Sequence, residues 1–316
     1  MALVDLLAPS QQSYKAGRVL RQFPTIGPVN NHDVYVLPHF AGQSRYSSFQ
    51  SSVVNARTAL LERVFYHEIG GVFSAPMVPT AHEVAGVLSA FYRLMKYRVN
   101  RLTPVPLLEY PQSAYRGRKL ALYTKAAGTV SRRGVLKSDS YLNTFVKHEK
   151  LLESSKRVVP RVIQPRRPEY NVAVGRYLRQ LEHHLYRDVD SIFGAPTVMK
   201  GYNAFELGAM IAEAWSHYRE PACLGLDASR FDQHITVPLL KWEHSVYDLY
   251  YRSDELRSLL KWQLENRGFV RCGDGGIEYC VRGGRCSGDM NTAMGNCLVM
   301  CATVHGLLQS LGLTNS

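Results

Sequence analysis

Apolar residues recur at helical spacing from Met290 through Ala293, Met294, Cys297, Leu298, Cys301, Val304, Leu307 and Leu308 to Leu311. A helix here has one apolar face, which must pack on another element. The same period runs through Leu239, Leu240, Trp242, Val246, Leu249 and Tyr250, after the start signals Thr236 and Pro238. Helical patterns also cover residues 53–67, 81–99, 172–184 and 204–215. Strand signals are fewer. Residues 269–272 and 277–281 flank Gly273-Asp274-Gly275-Gly276, which predicts a β-hairpin. Residues 222–226, ACLGL, form a short apolar run after Pro221 and read as a buried strand ending at Asp227. Residues 1–60, rich in Ser, Gln, Asn and Pro, are expected to carry little regular structure, and the proline-rich residues 102–111 read as a linker. Residues 115–179 are basic, with short strand-like runs such as 157–163. No internal repeat or low-complexity block occurs.

Composition narrows the class. A chain of 316 residues that is 46% hydrophobic can bury a core, as one large domain or two smaller ones, which excludes disorder throughout. The net charge of +12 is concentrated: residues 101–180 hold 17 Lys+Arg against 5 Asp+Glu, and the rest of the chain is balanced. Such a segment suits a polyanion, whose counterions are released on contact; a solvated basic surface without a partner is the plainer alternative. The six cysteines form no CxxC pair and no zinc-like spacing with histidine. The first residues have no basic region before an apolar stretch, and no run has the length of a membrane-spanning helix. A reducing compartment fits best, with peripheral membrane contact left open.

Two strings could carry chemistry. DASRFD puts Asp227 at the expected strand end and Asp232 five residues later. Carboxylates at a strand tip suit Mg²⁺, a hard ion that takes oxygen ligands, and phosphoryl transfer uses two such ions. A turn cap plus a surface charge explains the same pair. SGDMNTAMGN contains Ser287, Gly288, Thr292 and Asn296, and the last two share a helical face. A glycine-flanked loop entering a helix leaves room for a nucleic-acid strand. A plain N-cap followed by polar residues is the simpler reading.

Together, DASRFD followed by SGDMNTAMGN resembles motifs A and B of the RNA-dependent RNA polymerases of positive-strand RNA viruses, above all the tombusvirus-like and carmovirus-like ones. VKHEK at residues 146–150 and SKRVVPRVIQPR at residues 155–166 resemble motif F, in the family's order, and YRGRK at residues 115–119 is similar to the fingers of the same polymerases. The resemblance implies an α+β right-hand polymerase fold, with fingers, an incomplete palm and no thumb. It implies an N-terminal extension with fingers-associated helices at residues 1–100, and fingers including motif F at 101–215. Palm with motif A would follow at 216–250, a fingers insertion at 251–284, and the motif B loop and helix at 285–316.

The resemblance also implies roles. Asp227 would be catalytic and bind Mg²⁺ or Mn²⁺. Asp232 and Asn296 would read the ribose 2′-OH, supported by Thr292, while Ser287 and Gly288 would form the loop beside the template. Lys147, Lys156, Arg157 and Arg161 would line the nucleotide triphosphate channel, with Glu149 fixing that loop. Ile163, Arg166 and Arg167 would contact RNA, Ile163 near the templating base. Partners would be template and product RNA and nucleoside triphosphates, in the host cytoplasm or on a membrane-associated replication complex.

One element of the pattern is missing. Motif C, a hairpin bearing Gly-Asp-Asp, occurs nowhere in the chain, which ends before the position the family would give it. A partial chain, one subunit of a divided polymerase whose second polypeptide carries GDD and thumb, and a non-catalytic RNA-binding replication protein all fit. On the first two readings this chain alone is inactive. Reverse transcription fits less well, because Asp232 with Asn296 favours a ribonucleotide.

Overall fold

The computed structural model describes residues 17–24, 46–152 and 157–313. The predicted helices form, and the longest gather into one core. The described residues hold α1 (Val53–Leu60, continued by a π-helical turn at Leu61–Phe65), α2 (Ala81–Arg98), α3 (Tyr110–Ala114), α4 (Gly117–Arg133), α5 (Pro168–Phe193), α6 (Ala204–Ser216), α7 (Phe231–His234), α8 (Val237–Tyr251), α9 (Asp254–Lys261) and α10 (Thr292–Ser310), of which α3, α4, α7 and α9 were not expected from sequence. Helix α2 opens with a capping box, in which the Thr80 hydroxyl accepts from the Glu83 amide at 3.2 Å and the Glu83 carboxylate accepts from the Thr80 amide at 2.7 Å. Helix α5 starts on Pro168 and stops at Gly194, whose φ of +74° suits a residue without a Cβ. The apolar faces of α2, α5, α8, α9 and α10 meet around Phe91, Leu181, Val246, Tyr250, Leu260 and Leu298, all buried. Helices α10 and α2 approach so closely at Gly306 that a Cβ there would lie 2.7 Å from the Val87 carbonyl oxygen.

A second core lies under a five-stranded sheet of order β1-β9-β8-β5-β7, built from Gly17–Phe23, Gly275–Arg282, Glu265–Cys272, Leu142–Val146 and Val162–Ile163. The expected hairpin is β8–β9, with Cys272 opposite Gly275 across a two-residue turn. Asp274 in that turn accepts from the Val53 amide at 2.9 Å and so caps α1. Strand β5 runs parallel to β8 and antiparallel to β7. The inner face packs Val270, Ile277 and Tyr279 on α1. Two short ribbons complete the strands: β2 (Tyr46–Ser47) with β6 (Leu151–Leu152), and β3 (His67–Ile69) with β4 (Val72–Ser74).

Four expectations need correction. Residues 1–60 are not wholly irregular: β1 is a seven-residue edge strand paired with β9. Residues 102–111 are not a free linker, because the Leu102 amide donates to the Tyr250 carbonyl at 2.9 Å, the Val105 amide to that of Arg176 at 3.2 Å, and Tyr110 is buried. The basic stretch is largely helical, in α4 and α5, and β7 is only two residues long. The run at 222–226 is neither strand nor buried, with Leu224 80% exposed. A strand needs a neighbour's backbone to satisfy its amides and carbonyls. Among the described residues no strand pairs with this run, and the preceding helix α6 also buries no residue, leaving Phe205, Ile211 and Trp215 exposed.

Gly268 and Tyr279 test the sheet packing. A Cβ on Gly268 would lie 2.3 Å from the Tyr279 ring, whose hydroxyl is held by Thr144 and by the Gln164 amide, each at 2.7 Å. The ring has no room to retreat, so Gly268→Ala is expected to cost roughly 1–3 kcal/mol. An unchanged denaturant midpoint would contradict this packing.

Candidate nucleotide and RNA site

The site is built where three separate segments meet. The turn ahead of α7 brings in Arg230, which takes the left-handed conformation at φ +52°, unusual for a residue with a side chain, and donates to the Glu62 carbonyl at 2.6 Å. Just after it, Asp232 accepts at 2.7 Å from the Asn296 side-chain amide on the first turns of α10. The Arg285 Nε in turn donates to the Asn296 Oδ1 at 2.9 Å, and the Arg285 backbone amide donates to the Asp232 carbonyl at 2.8 Å. The Asp232–Asn296 pair is thus oriented from both sides.

Arg285 is itself fixed by Glu243 on α8, in an ion pair whose side chains are wholly buried. Its Nη1 donates to Oε1 at 3.1 Å, and the same carboxylate accepts from the Tyr247 hydroxyl at 2.7 Å and from the Asn291 amide at 2.8 Å. Burial alone would raise the Glu243 pKa, but the Arg285 charge and these bonds outweigh it and hold the carboxyl below its ordinary value. Gly295 makes room for the pair, since a Cβ there would lie 2.5 Å from both partners. None of Arg285, Glu243 and Asn291 was singled out from sequence. A signal existed: Glu243 falls on the apolar face of α8, between Leu240 and Val246, and a core carboxylate needs a cation.

A cavity of about 340 Å³ opens beside Asp232. Its lining includes Arg63, Arg161, Arg230, Arg285, Gln164 and Ser287. Burial lowers the Arg63 pKa, and the like charges of Arg161 and Arg230 lower it further, so three guanidinium groups repel one another here. Arg161 is bound by Glu149, its Nε donating at 2.7 Å, and Lys147 reaches the same carboxylate at 3.2 Å. The bond from Arg161 is the chief reason the Glu149 carboxyl lies below its ordinary value.

The structure therefore brings Arg161, Asp232, Asn296, Arg285 and Ser287 together. Gly288 is exposed with φ +122° and lies close against the Gln164–Pro165 backbone, where a Cβ would come within 3.1 Å of the Pro165 nitrogen, while the Gln164 amide donates to the Ser287 carbonyl at 2.6 Å. Other expected residues stand elsewhere. Arg166 is not an RNA-facing cation: it is buried against Asp289 at 2.5 Å and also donates to Asn266 and the Ser140 carbonyl, so its donors are used internally. Arg157 pairs with Glu62 at 2.5 Å. The Thr292 hydroxyl lies 2.9 Å from the Asp289 carbonyl and 3.1 Å from that of Cys286, so it pins the loop rather than Asp232. Ile163 is displaced by strand alternation: Val162 and Gln164 line the cavity, and the side chain between them faces away. Arg167 is exposed on the far side of the sheet, and Lys156 lies outside the described residues. Asp227 is exposed and is not part of the cavity lining. Among the described residues no group of three His, Cys, Asp or Glu could hold a metal ion, so Asp227 alone does not make a metal centre.

A family model described as viral RNA dependent RNA polymerase matches residues 20–316. The chain belongs to that family. It is similar to the RNA-directed RNA polymerases of Turnip crinkle virus (41% identical over 293 residues), Melon necrotic spot virus (39% over 305) and Tomato bushy stunt virus, strain Cherry (42% over 293). These alignments cover 92%, 93% and 91% of this chain, but 38%, 37% and 35% of the respective relatives, so the chain spans less than two-fifths of their length. The tombusvirus-like and carmovirus-like resemblance read from the motifs is thereby established. No helix among the described residues is long and apolar enough to cross a membrane.

Removing one partner of the Arg285–Glu243 pair strands the other in the core. Arg285→Met is expected to cost roughly 3–5 kcal/mol in urea denaturation, and adding Glu243→Leu should recover much of it. Because the folded carboxyl is depressed, its stabilisation is present above the ordinary carboxylate value, about 4.3, and is lost as pH falls through the lower folded value. The double variant should therefore show a weaker loss of stability below that pH. Equal acid sensitivity in both proteins would contradict the assignment.

Proposed function

We propose that this chain provides the nucleotide- and RNA-binding part of a viral RNA polymerase that adds ribonucleotides to an RNA 3′-OH. The observation that carries the reading is the Asp232–Asn296 hydrogen bond at the edge of an arginine-lined cavity. A nucleotide triphosphate would place its phosphates against Arg161, Arg63 and Arg230, whose crowding favours an anion among them. The incoming phosphates would compete with Glu149 for Arg161 and Lys147. The ribose would meet Asp232 and Asn296, where a carboxylate oxygen and an amide can accept and donate to a 2′-OH. A site that hydrogen-bonds a hydroxyl discriminates strongly against an analogue without it, because its own polar groups are then left unpaired. Ser287 and Gly288 would lie beside the template, the glycine allowing the positive φ and the close approach to the Gln164–Pro165 backbone.

Asp227 would supply one carboxylate to a divalent ion, whose chemistry in such enzymes is to activate the attacking hydroxyl and stabilise the leaving oxygen. One exposed carboxylate does not hold a two-ion centre. The remaining acids would come from a Gly-Asp-Asp hairpin carried by another polypeptide or segment, with the thumb. The exposed apolar surface of residues 204–226, from Phe205 to Leu226, favours such a covering partner. On this reading the chain alone binds RNA and nucleotides without extending RNA. The alternative, a non-catalytic RNA-binding replication protein, draws on the same isolated Asp227.

Two measurements test the proposal. GTP should bind this chain more tightly than 2′-deoxy-GTP, and Asp232→Ala or Asn296→Ala should reduce that preference by about tenfold; equal binding of both nucleotides by the wild type would remove the ribose-reading role. When synthesis is restored by a Gly-Asp-Asp-bearing partner, Asp227→Ala should abolish it while RNA affinity stays nearly unchanged. Retained synthesis would exclude Asp227 from catalysis.

A further inference from the structure

A second hollow, of about 420 Å³, lies where the first turns of α2 and α8 pack together, and it shares no lining residue with the nucleotide cavity. Sites for small ligands are commonly of this size and mostly apolar, with a few polar groups that fix orientation. The walls here fit that pattern. Val78, Val84 and Ala85 come from the start of α2 and the turn before it, and Val237, Pro238 and Trp242 from α8. In a helix the Cα–Cβ bond tilts toward the N-terminus, so Trp242 leans back over the first turn of α8.

The polar groups of the hollow are unevenly satisfied. Helix α2 is closed by its own capping box, with Glu83 committed to Thr80, so its first turn calls for no further anion. Helix α8 is not closed. Thr236 stands at its N-cap position, yet its side chain accepts from no amide. Thr236 is 1% exposed and Trp242 9% exposed, and both line the hollow. Among the described residues neither the Thr236 hydroxyl nor the Trp242 indole N–H has a hydrogen-bond partner. Two buried donors without acceptors in one pocket wall are a standing cost that a ligand oxygen would remove. Lys241 and Arg282 complete the lining; both are exposed, and neither forms an ion pair among the described residues.

We propose that this hollow binds a medium-chain carboxylate, an alkyl chain ending in one anionic group. The chain would lie against Val78, Val84 and Ala85, where burying it removes apolar surface from water. The carboxylate oxygens would accept from the Trp242 indole and the Thr236 hydroxyl, and would meet the charges of Lys241 and Arg282 and the open start of α8. Inorganic phosphate would satisfy the two cations but leave the apolar walls bare. A neutral hydrocarbon would fill the walls but leave both buried donors unmet. The site stands on these residues alone and is independent of the polymerase reading.

The chain's own tryptophans provide the test. Trp242 lines the hollow, whereas Trp215 is 50% exposed on the apolar surface of α6, where an alkyl chain could adhere without specificity. The probe is 10-bromodecanoate, whose bromine quenches an indole only at short range, titrated into the full chain while tryptophan fluorescence is recorded. Quenching should be saturable, should persist in Trp215→Phe and should be lost in Trp242→Phe. Lys241→Met should weaken binding by about tenfold, as should replacing the probe by the uncharged 10-bromodecanol. Ala85→Phe, which fills the hollow from an exposed helix position, should abolish binding, with circular dichroism checking that each variant is folded. Quenching that disappears in Trp215→Phe, or that Ala85→Phe leaves intact, would place the chain on the α6 surface and overturn the site. Equal binding of the alcohol, with Lys241→Met unchanged, would overturn the recognition of a carboxylate. Absence of quenching in the folded wild type would overturn the proposal outright. The polymerase reading is untouched by these outcomes, since the comparison of GTP with 2′-deoxy-GTP tests it separately.

Discussion

The wholly buried Arg285–Glu243 pair is the interaction on which the rest of the site depends. Removing two charges from water is costly, and their attraction offsets that only when the geometry is good and the remaining donors and acceptors are satisfied. Both conditions hold here, because Tyr247 and Asn291 complete the carboxylate and Asn296 takes the remaining guanidinium edge. A continuous chain of bonds therefore runs from α8 through the 283–291 loop to α10 and back to Asp232. The pair does more than connect elements: it orients the Asn296 amide, with its oxygen toward Arg285 and its nitrogen toward Asp232. An apolar replacement could fill the same volume but could not set that direction.

The loop is held at its other end by a second buried pair, Arg166 with Asp289, and by the Gln164 amide on the Ser287 carbonyl. Arginines of the same basic segment thus have opposite uses, and burial decides between them. Arg166, without solvent, is committed to Asp289, Asn266 and Ser140. Arg161, itself half exposed and paired with the less exposed Glu149, keeps a solvent-accessible edge and an interaction that a more highly charged ligand can displace. Local charge density locates the segment but does not distinguish these two cases.

What was legible in the sequence follows from how local each signal is. The α8 and α10 periodicities and the Gly-Asp-Gly-Gly hairpin depend on neighbouring residues, and all three formed near their expected bounds. The Asp232–Asn296 juxtaposition, 64 residues apart, came from the resemblance, not from spacing. The edge strand β1 was hidden because its partner, β9, is more than 250 residues away in the chain. Helix α4 was masked by its basic residues, although Ala126, Ala127 and Val130 form a buried stripe. Arg63 had no sequence signal at all, since its position in the cavity depends on α1 docking under the sheet.

The exposed run at 222–226 shows the limit of reading a strand from hydrophobicity. Apolar side chains state that a segment is to be buried, but a strand also needs flanking backbone to pair with. The helices of the core supply side-chain contacts to one another, so α8 and α10 form on their own packing. Residues 222–226 have no such neighbour among the described residues, and Asp227 shares their exposure. The Asp232–Asn296 pair and Asp227 therefore differ in what they require. Asp232 and Asn296 are set by bonds internal to this chain, whereas Asp227 lacks a strand to fix its position. A partner that added a strand beside 222–226 would satisfy the backbone, cover Leu224 and Leu226, and hold Asp227 in one place by the same pairing. Burial of the apolar run and placement of the acid are then a single physical event.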